Sequence, residues 1–333
     1  MLDPMHARAA DREDTPSGVK PSEVVGSIAI ASDLGLGQPL EHVLRSCVIA
    51  TRVAERLGAS LEDRDATYWA ALFAAAGCTG VSFELAAMFG DDIAFRAGVY
   101  HTLTNASFLR FAMRRAGGDS GALHRTKARV RLLTSGMPSI AASLLAHCAV
   151  SAELARRLDL GDTVVDCLLQ TFEQWDGKGI PHKLRGDDVR LPIRIANLTT
   201  MVEVHDRVGG SEAAKWAARK GEATVGPELV KAWCEIAEEV LGDVDAESSW
   251  QQVIASPPRG RPPLTNREPR PAPCRTPGLA RVGRLRRPRT PRRLGLPPWC
   301  RWRHGPPAGQ VARRRRRLPR PRGGETPSHR VES

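Results

Sequence analysis

The 333-residue sequence has no C-x-x-C pair among its seven cysteines, no uninterrupted run of 18 apolar residues, almost no alternating apolar pattern, and no lysine after Pro257. Each absence excludes something. Without paired cysteine spacings, a disulfide framework or a zinc ribbon has no basis, and the thiols suit a reducing cytoplasm. Cys47, Cys78, Cys148, Cys167 and Cys234 fall in apolar helical patterns, where a free thiol behaves as a small hydrophobe. Without a long apolar run, a membrane span is not expected. The opening MLDPMHARAADREDTPSG is polar and acidic, without the apolar centre of a signal peptide. Without period-2 alternation, a sheet is not expected and an all-α fold is.

Charge is divided unevenly. From Pro257 to Ser333 there are 22 arginines, no lysines and 3 glutamates, a net of +19; the whole chain is +12, so the first 256 residues carry −7. The body is therefore mildly acidic and gives no electrostatic reason to bind nucleic acid. The last 77 residues hold 17 of the 25 prolines and no helical apolar stripe. Two accounts fit them. GC-rich DNA read out of frame yields this mixture of Arg, Pro and Gly, which places a frameshift near Pro257–Arg270. A genuine disordered basic arm would instead bind polyanions non-specifically and with steep salt dependence.

Between these ends the period is helical. Leu40, Val43, Leu44, Cys47, Val48, Ala50, Ala54 and Leu57 recur at three-to-four spacing up to a stop at Gly58. Ala66–Ala76 reads as a second apolar helix stopped by Gly77. Shorter helices follow at Phe83–Phe89, Asp92–Tyr100, Ser107–Arg115 and Arg125–Leu133, then a long one through Ile140 and Ala155. Asp162 or Thr163 caps the next. Further helices follow at Pro192–Val204, Ser211–Arg219 and Pro227–Leu241, the last stopped by Gly242. Loops are expected at Gly117-Gly118, Ser135–Pro138 and Gly177–Asp188. The expected organisation is a disordered leader over residues 1–20, one all-α bundle of roughly ten helices over 21–245, and a disordered Arg/Pro-rich tail over 246–333.

The most informative string is FEQWDGKGIPHKLRGDDVRLPIRI, Phe172 to Ile195. Its Trp175-Asp176-Gly177, the Gly179-Ile180-Pro181 turn, Leu191-Pro192 and Arg194-Ile195 resemble the signature of the HD-GYP family, metal-dependent phosphodiesterases that open cyclic dinucleotides. The resemblance is strongest over 140–210 and stays in register over 38–80. It implies an HD-domain-like helical bundle with His and carboxylate side chains converging on two or three ions, which activate water and neutralise the leaving phosphate. The tyrosine of the family's name is Ile180 here.

Carried over position by position, the cage is largely missing. His42 stands where the first ligand is expected and His147 where the middle-helix ligand is. The second helix ends ALFAAAGC where the family has a string like ALLHDIGK, so the His-Asp pair falls on Ala74 and Ala75 and the Lys on Cys78. The adjacent His-His falls on Thr171 and Phe172 before a retained Glu173, and the last Asp falls on Thr200. Of these seven ligand positions two histidines remain, and two imidazoles without carboxylates cannot hold several hard cations. A methyl or phenyl group offers no lone pair, so the cleft is expected to be filled rather than wet. Trp175 and Asp176 are expected to shape the loop rather than react. His182, His205, Glu203 and Asp206 could form a substitute metal site but also suit a solvated face. Lys178, Lys183 and Arg185 could meet a phosphate or simply face water.

The expected function is a catalytically inactive, regulatory or signalling HD-GYP-like domain with no metal, no cofactor and no catalytic residue. Such degenerate copies resemble the N-terminal part of larger regulators that carry an intact HD-GYP unit downstream and a LuxR-type helix-turn-helix at the C-terminus. The partner is then another protein or that missing module; weak nucleotide binding in the cleft stays open, and no membrane is involved. The alternatives are a metal-dependent phosphohydrolase or cyclic di-GMP phosphodiesterase with an altered site, and nucleic-acid binding through the basic tail.

Overall fold

A computed structural model describes residues 18–264, apart from 78–81, 119–120 and 256. Most of the leader and the tail beyond residue 264 lie outside the described residues, as do Cys78, Cys274 and Cys300. The elements are α1 (Pro21–Leu36), α2 (His42–Arg56), α3 (Leu61–Leu72), α4 (Ser82–Phe89), α5 (Asp92–Val99), α6 (Asn105–Arg115), α7 (Ala122–Arg131), α8 (Met137–Arg157), α9 (Asp162–Leu169), α10 (Leu191–Lys220), α11 (Glu222–Val225), α12 (Pro227–Gly242) and α13 (Ser249–Ala255). The fold is all-α. Among the described residues extended pairing is limited to two isolated bridges, Val19 with Leu264 and Asp176 with Arg185.

Three helices form the centre: α2, α3 and α10 pack on one another, with α9 and α12 against them. Their facing sides bury Leu44, Ile49, Trp69, Leu72, Ile193 and Leu198, each removed from water almost completely. Burial of this kind stabilises by about 25 cal/mol per Å2 of apolar surface, which is what offsets the ordering of so many short helices. A smaller second cluster gathers Phe89, Phe95, Ala112, Ala116 and Leu132 under α4–α7.

Local chemistry explains most boundaries, and corrects some expected ones. Ser60 caps α3 by accepting from the Asp63 amide at 3.1 Å. That helix ends at Leu72, not Ala76, and residues 73–77 continue as turns. At α9 the cap is Gly161, and Asp162 is the first helical residue, where its charge favours the positive helix end. Gly209 and Gly210 leave helical geometry and kink α10, which reads in sequence as two helices. The expected loop at Ser135–Pro138 is absent: a π-helical turn, Leu132–Gly136, joins α7 to α8 in one helical run.

The folded body also runs past residue 245. Helix α13 is pinned by the Tyr68 hydroxyl donating to the Val253 carbonyl (2.9 Å) and by the Ser249 amide donating to Glu41 (3.2 Å). Farther on, Arg261 reaches the buried Asp65 at 2.6 Å and lies over the Trp69 ring. Residues 246–255 and 257–264 therefore return onto the core. The contacts that pin this stretch, to Glu41, Asp65 and Tyr68, lie in distant parts of the chain and so leave no mark on its composition.

Candidate functional site

His42 opens α2 and is fully buried, with its Nδ1 hydrogen-bonded to Glu203 Oε2 on α10. The edge of Tyr100 packs against its ring at a centroid distance of 5.0 Å. Glu203 is equally buried and its other oxygen accepts from Arg207 one turn on. Arg45, one turn after His42, lies 3.6 Å from Glu203 and donates to Asp206 at 2.7 Å and to Asp245 at 2.8 Å. Asp33 of α1 completes the cluster, accepting from the Val43 amide at 3.3 Å. Arg45 and Arg207 thus alternate with Glu203, Asp206 and Asp245 from a buried centre out to the exposed Asp245, and each buried ion has an opposite charge beside it.

The electrostatics follow from these neighbours. Burial pushes the Asp33 carboxyl up to about 6, against the opposing pull of His42 and the Val43 amide. Burial acts the same way on Glu203, but His42 and Arg207 outweigh it and its carboxyl lies below the usual range. For Arg45 burial works against the charged form, yet Asp245 and Asp206 outweigh it and hold the guanidinium charged.

The other retained histidine has different company. His147 of α8 is buried against Gly77, to whose backbone its ring is hydrogen-bonded, and Phe172 meets it edge-on at 5.4 Å. Burial lowers its pKa to about 4, with the Gly77 bond opposing, so the ring is neutral at pH 7. A side chain at residue 77 would stand 2.7 Å from the imidazole, which explains the glycine.

The remaining cage positions carry no carboxylate or imidazole. Ala75 is buried and Ala74 half-buried. The Thr171 hydroxyl, in the turn after α9, donates to the Leu168 carbonyl (2.7 Å), and the Thr200 hydroxyl donates to the Ala196 carbonyl of its own helix (2.9 Å). The proposed substitute set does not converge either: the His205 ring bonds the Met201 carbonyl, Asp206 is held by Arg45, and His182 is exposed. Among the described residues no three His, Cys, Asp or Glu side chains gather so as to hold a metal ion. The multi-ion centre implied by the resemblance does not fit these side chains.

The Trp-Asp-Gly loop is intact as architecture. Glu173 is buried and its two oxygens accept from the His182 (2.6 Å) and Leu184 (3.0 Å) amides, so one carboxylate folds the loop around itself. Trp175 and Asp176 donate their amides to the Thr224 and Ala223 carbonyls (2.9 and 3.0 Å), docking the loop on α11. The Asp176 carboxylate accepts from the amide and ammonium of Lys178. Burial nudges that carboxyl up, but Lys178 outweighs it and the group stays below the usual range. Gly177 has φ +82°, and a side chain on Gly179 would lie 2.3 Å from the Gln174 nitrogen, so both positions require glycine. Pro181, after Ile180, is exposed on the turn. In the basic cluster, Lys178 is paired with Asp176 and Arg185 donates to the Asp176 carbonyl. Glu173 and Arg185 thus hold loop backbone, while Lys178 and Lys183 are exposed.

Sequence reasoning did not single out Glu203 as the partner of His42. The available signal was its place three residues after Thr200, on the same face of α10.

No family model matches the chain. It is 26% identical over 244 residues to the 3'3'-cGAMP-specific phosphodiesterase 3 of Vibrio cholerae serotype O1, an alignment covering 71% of this chain and 53% of that protein. The crystal structure of a cyclic GMP-AMP specific phosphodiesterase of V. cholerae superposes with a TM-score of 0.52 at 23% identity, over 72% of this chain and 54% of that one. The chain spans about half the length of the curated relative it matches. Its all-α bundle is thus HD-domain-like in fold.

Proposed function

We propose that residues 18–264 are a degenerate HD-GYP module that does not cut phosphodiesters itself and serves a regulatory or scaffolding role in cyclic-dinucleotide signalling. One observation carries this reading: the cage positions hold Ala74, Ala75, Phe172 and the neutral hydroxyls of Thr171 and Thr200, with no carboxylate or imidazole among them. The one retained histidine that keeps a carboxylate, His42, has it as an internal hydrogen-bond partner. The proposal includes a partner, a separate protein or a catalytic HD-GYP unit of a LuxR-type regulator, and a reducing cytoplasm as its setting. It keeps weak nucleotide binding in the cleft, and polyanion binding by the Arg-rich segment, as subsidiary properties.

The second reading is a metal-dependent phosphodiesterase with an altered site. The relative's activity toward 3'3'-cGAMP backs this reading better than it backs a non-catalytic one. The side chains at the cage back the opposite. Incubation of the purified chain with 3'3'-cGAMP or cyclic di-GMP in Mn2+, Fe2+ or Mg2+ separates them. The first reading expects no linear product above the metal-only control and far less than one equivalent of tightly held metal. Turnover that disappears in His147→Ala establishes the second.

A further inference from the structure

Helix α7 is a 10-residue helix that buries no side chain. Its inner side offers Arg125 and the half-buried Ala128, both seated near Gly117, and an Arg129 bond to the Met113 carbonyl at 3.0 Å. Its outward side is not polar throughout. Leu123 and Val130, seven residues apart and therefore on one face, are 71% and 57% exposed. Lys127 and Arg131 flank them. Together α6 and α7 carry seven Arg or Lys and no Asp or Glu, within a body that is otherwise acidic.

We propose that this outward face of α7 is a docking surface for an acidic amphipathic helix of a partner protein. Apolar side chains at heptad spacing match the apolar line of a facing helix, and the flanking cations select carboxylates beside that line. A second copy of this chain is a poor occupant. Its acidic helix α12 exposes Glu228, Glu235, Glu238 and Glu239 but no large apolar side chain, and pairing α7 with α12 would join unlike surfaces in an open, non-closing series. Nucleic acid would satisfy the cations and leave Leu123 and Val130 in water. The proposal does not depend on whether the cleft hydrolyses anything.

The test uses the full chain and a synthetic amphipathic helix with leucines at heptad positions flanked by glutamates, beside its lysine-for-glutamate counterpart. Hydrogen exchange read by mass spectrometry reports where each peptide sits, separating α7 from the Arg-rich segment. The expected result is slowed exchange over residues 122–131 with the acidic peptide alone. Leu123→Asp with Val130→Asp is expected to weaken binding about tenfold or more, the loss typical of removing central anchors. Lys127→Glu with Arg131→Glu is expected to reverse the preference between peptides, and decides the matter if the first variant misfolds by circular dichroism. The proposal is overturned if α7 exchange is unchanged at about 1 mM acidic peptide, the weak limit of specific binding. Protection confined to residues after Pro257 overturns it too. So does α7 protection by phosphatidylglycerol vesicles or duplex DNA without protection by the acidic peptide, or self-association that the Leu123/Val130 variant abolishes.

Discussion

Replacing Glu203 by glutamine tests most directly what the buried centre is. The amide keeps the shape and one acceptor oxygen, but removes the charge that His42, Arg207 and Arg45 surround. Breaking a buried ion pair from one side costs about 3–5 kcal/mol, and the retained oxygen puts this variant near the lower end, about 3 kcal/mol. For a body of this size about 1 kcal/mol shifts the melting temperature by about 2–4 °C, so a drop of about 6–12 °C is expected at pH 7 by scanning calorimetry. The pH dependence has a definite sign. The folded Glu203 carboxyl lies below its ordinary value of 4.5, so its contribution is complete above that value and disappears as pH falls through the lower, folded one. The gap between wild type and Glu203→Gln should therefore close in acid. Because the centre is an internal ion network, EDTA should change neither protein's melting temperature. A wild-type stabilisation of several degrees by Mn2+ that Glu203→Gln abolishes would refute the reasoning and make Glu203 a metal ligand.

Two other substitutions probe the same physics. Asp33 has its folded pKa raised from 3.8 to about 6, so its ionised form opposes folding above pH 6 and that cost vanishes below 3.8. At about 1.36 kcal/mol per unit, Asp33→Asn should stabilise by up to about 3 kcal/mol at pH 7 in urea titrations and not at all near pH 4; a pH-independent difference would count against it. Glu173→Ala should strand the His182 and Leu184 amides, at about 1–3 kcal/mol for each buried donor left unmet, and should speed exchange and proteolysis across residues 177–188 while leaving α2 and α3 protected. Unchanged exchange at those two amides would show that another group folds the loop.

What the residues alone determined is local. Helical period placed the centres of most elements, since i, i+3, i+4 spacing is written into neighbouring side chains. The Trp175–Pro181 loop was legible because its glycines answer steric demands within a few residues. The missing donors at Ala74, Ala75 and Phe172 were legible once the register was set, because an alanine lacks a lone pair in any fold. The tertiary structure decided everything that joins distant segments. Glu203 meets His42 across 161 residues, and Arg45 meets Asp245 across 200. The return of α13 and Arg261 to Tyr68 and Asp65 likewise leaves no trace in composition. Such pairs are set by which helix faces close on one another when the apolar core forms. No periodicity encodes the partner of a buried charge; only the packing that excludes water around it does.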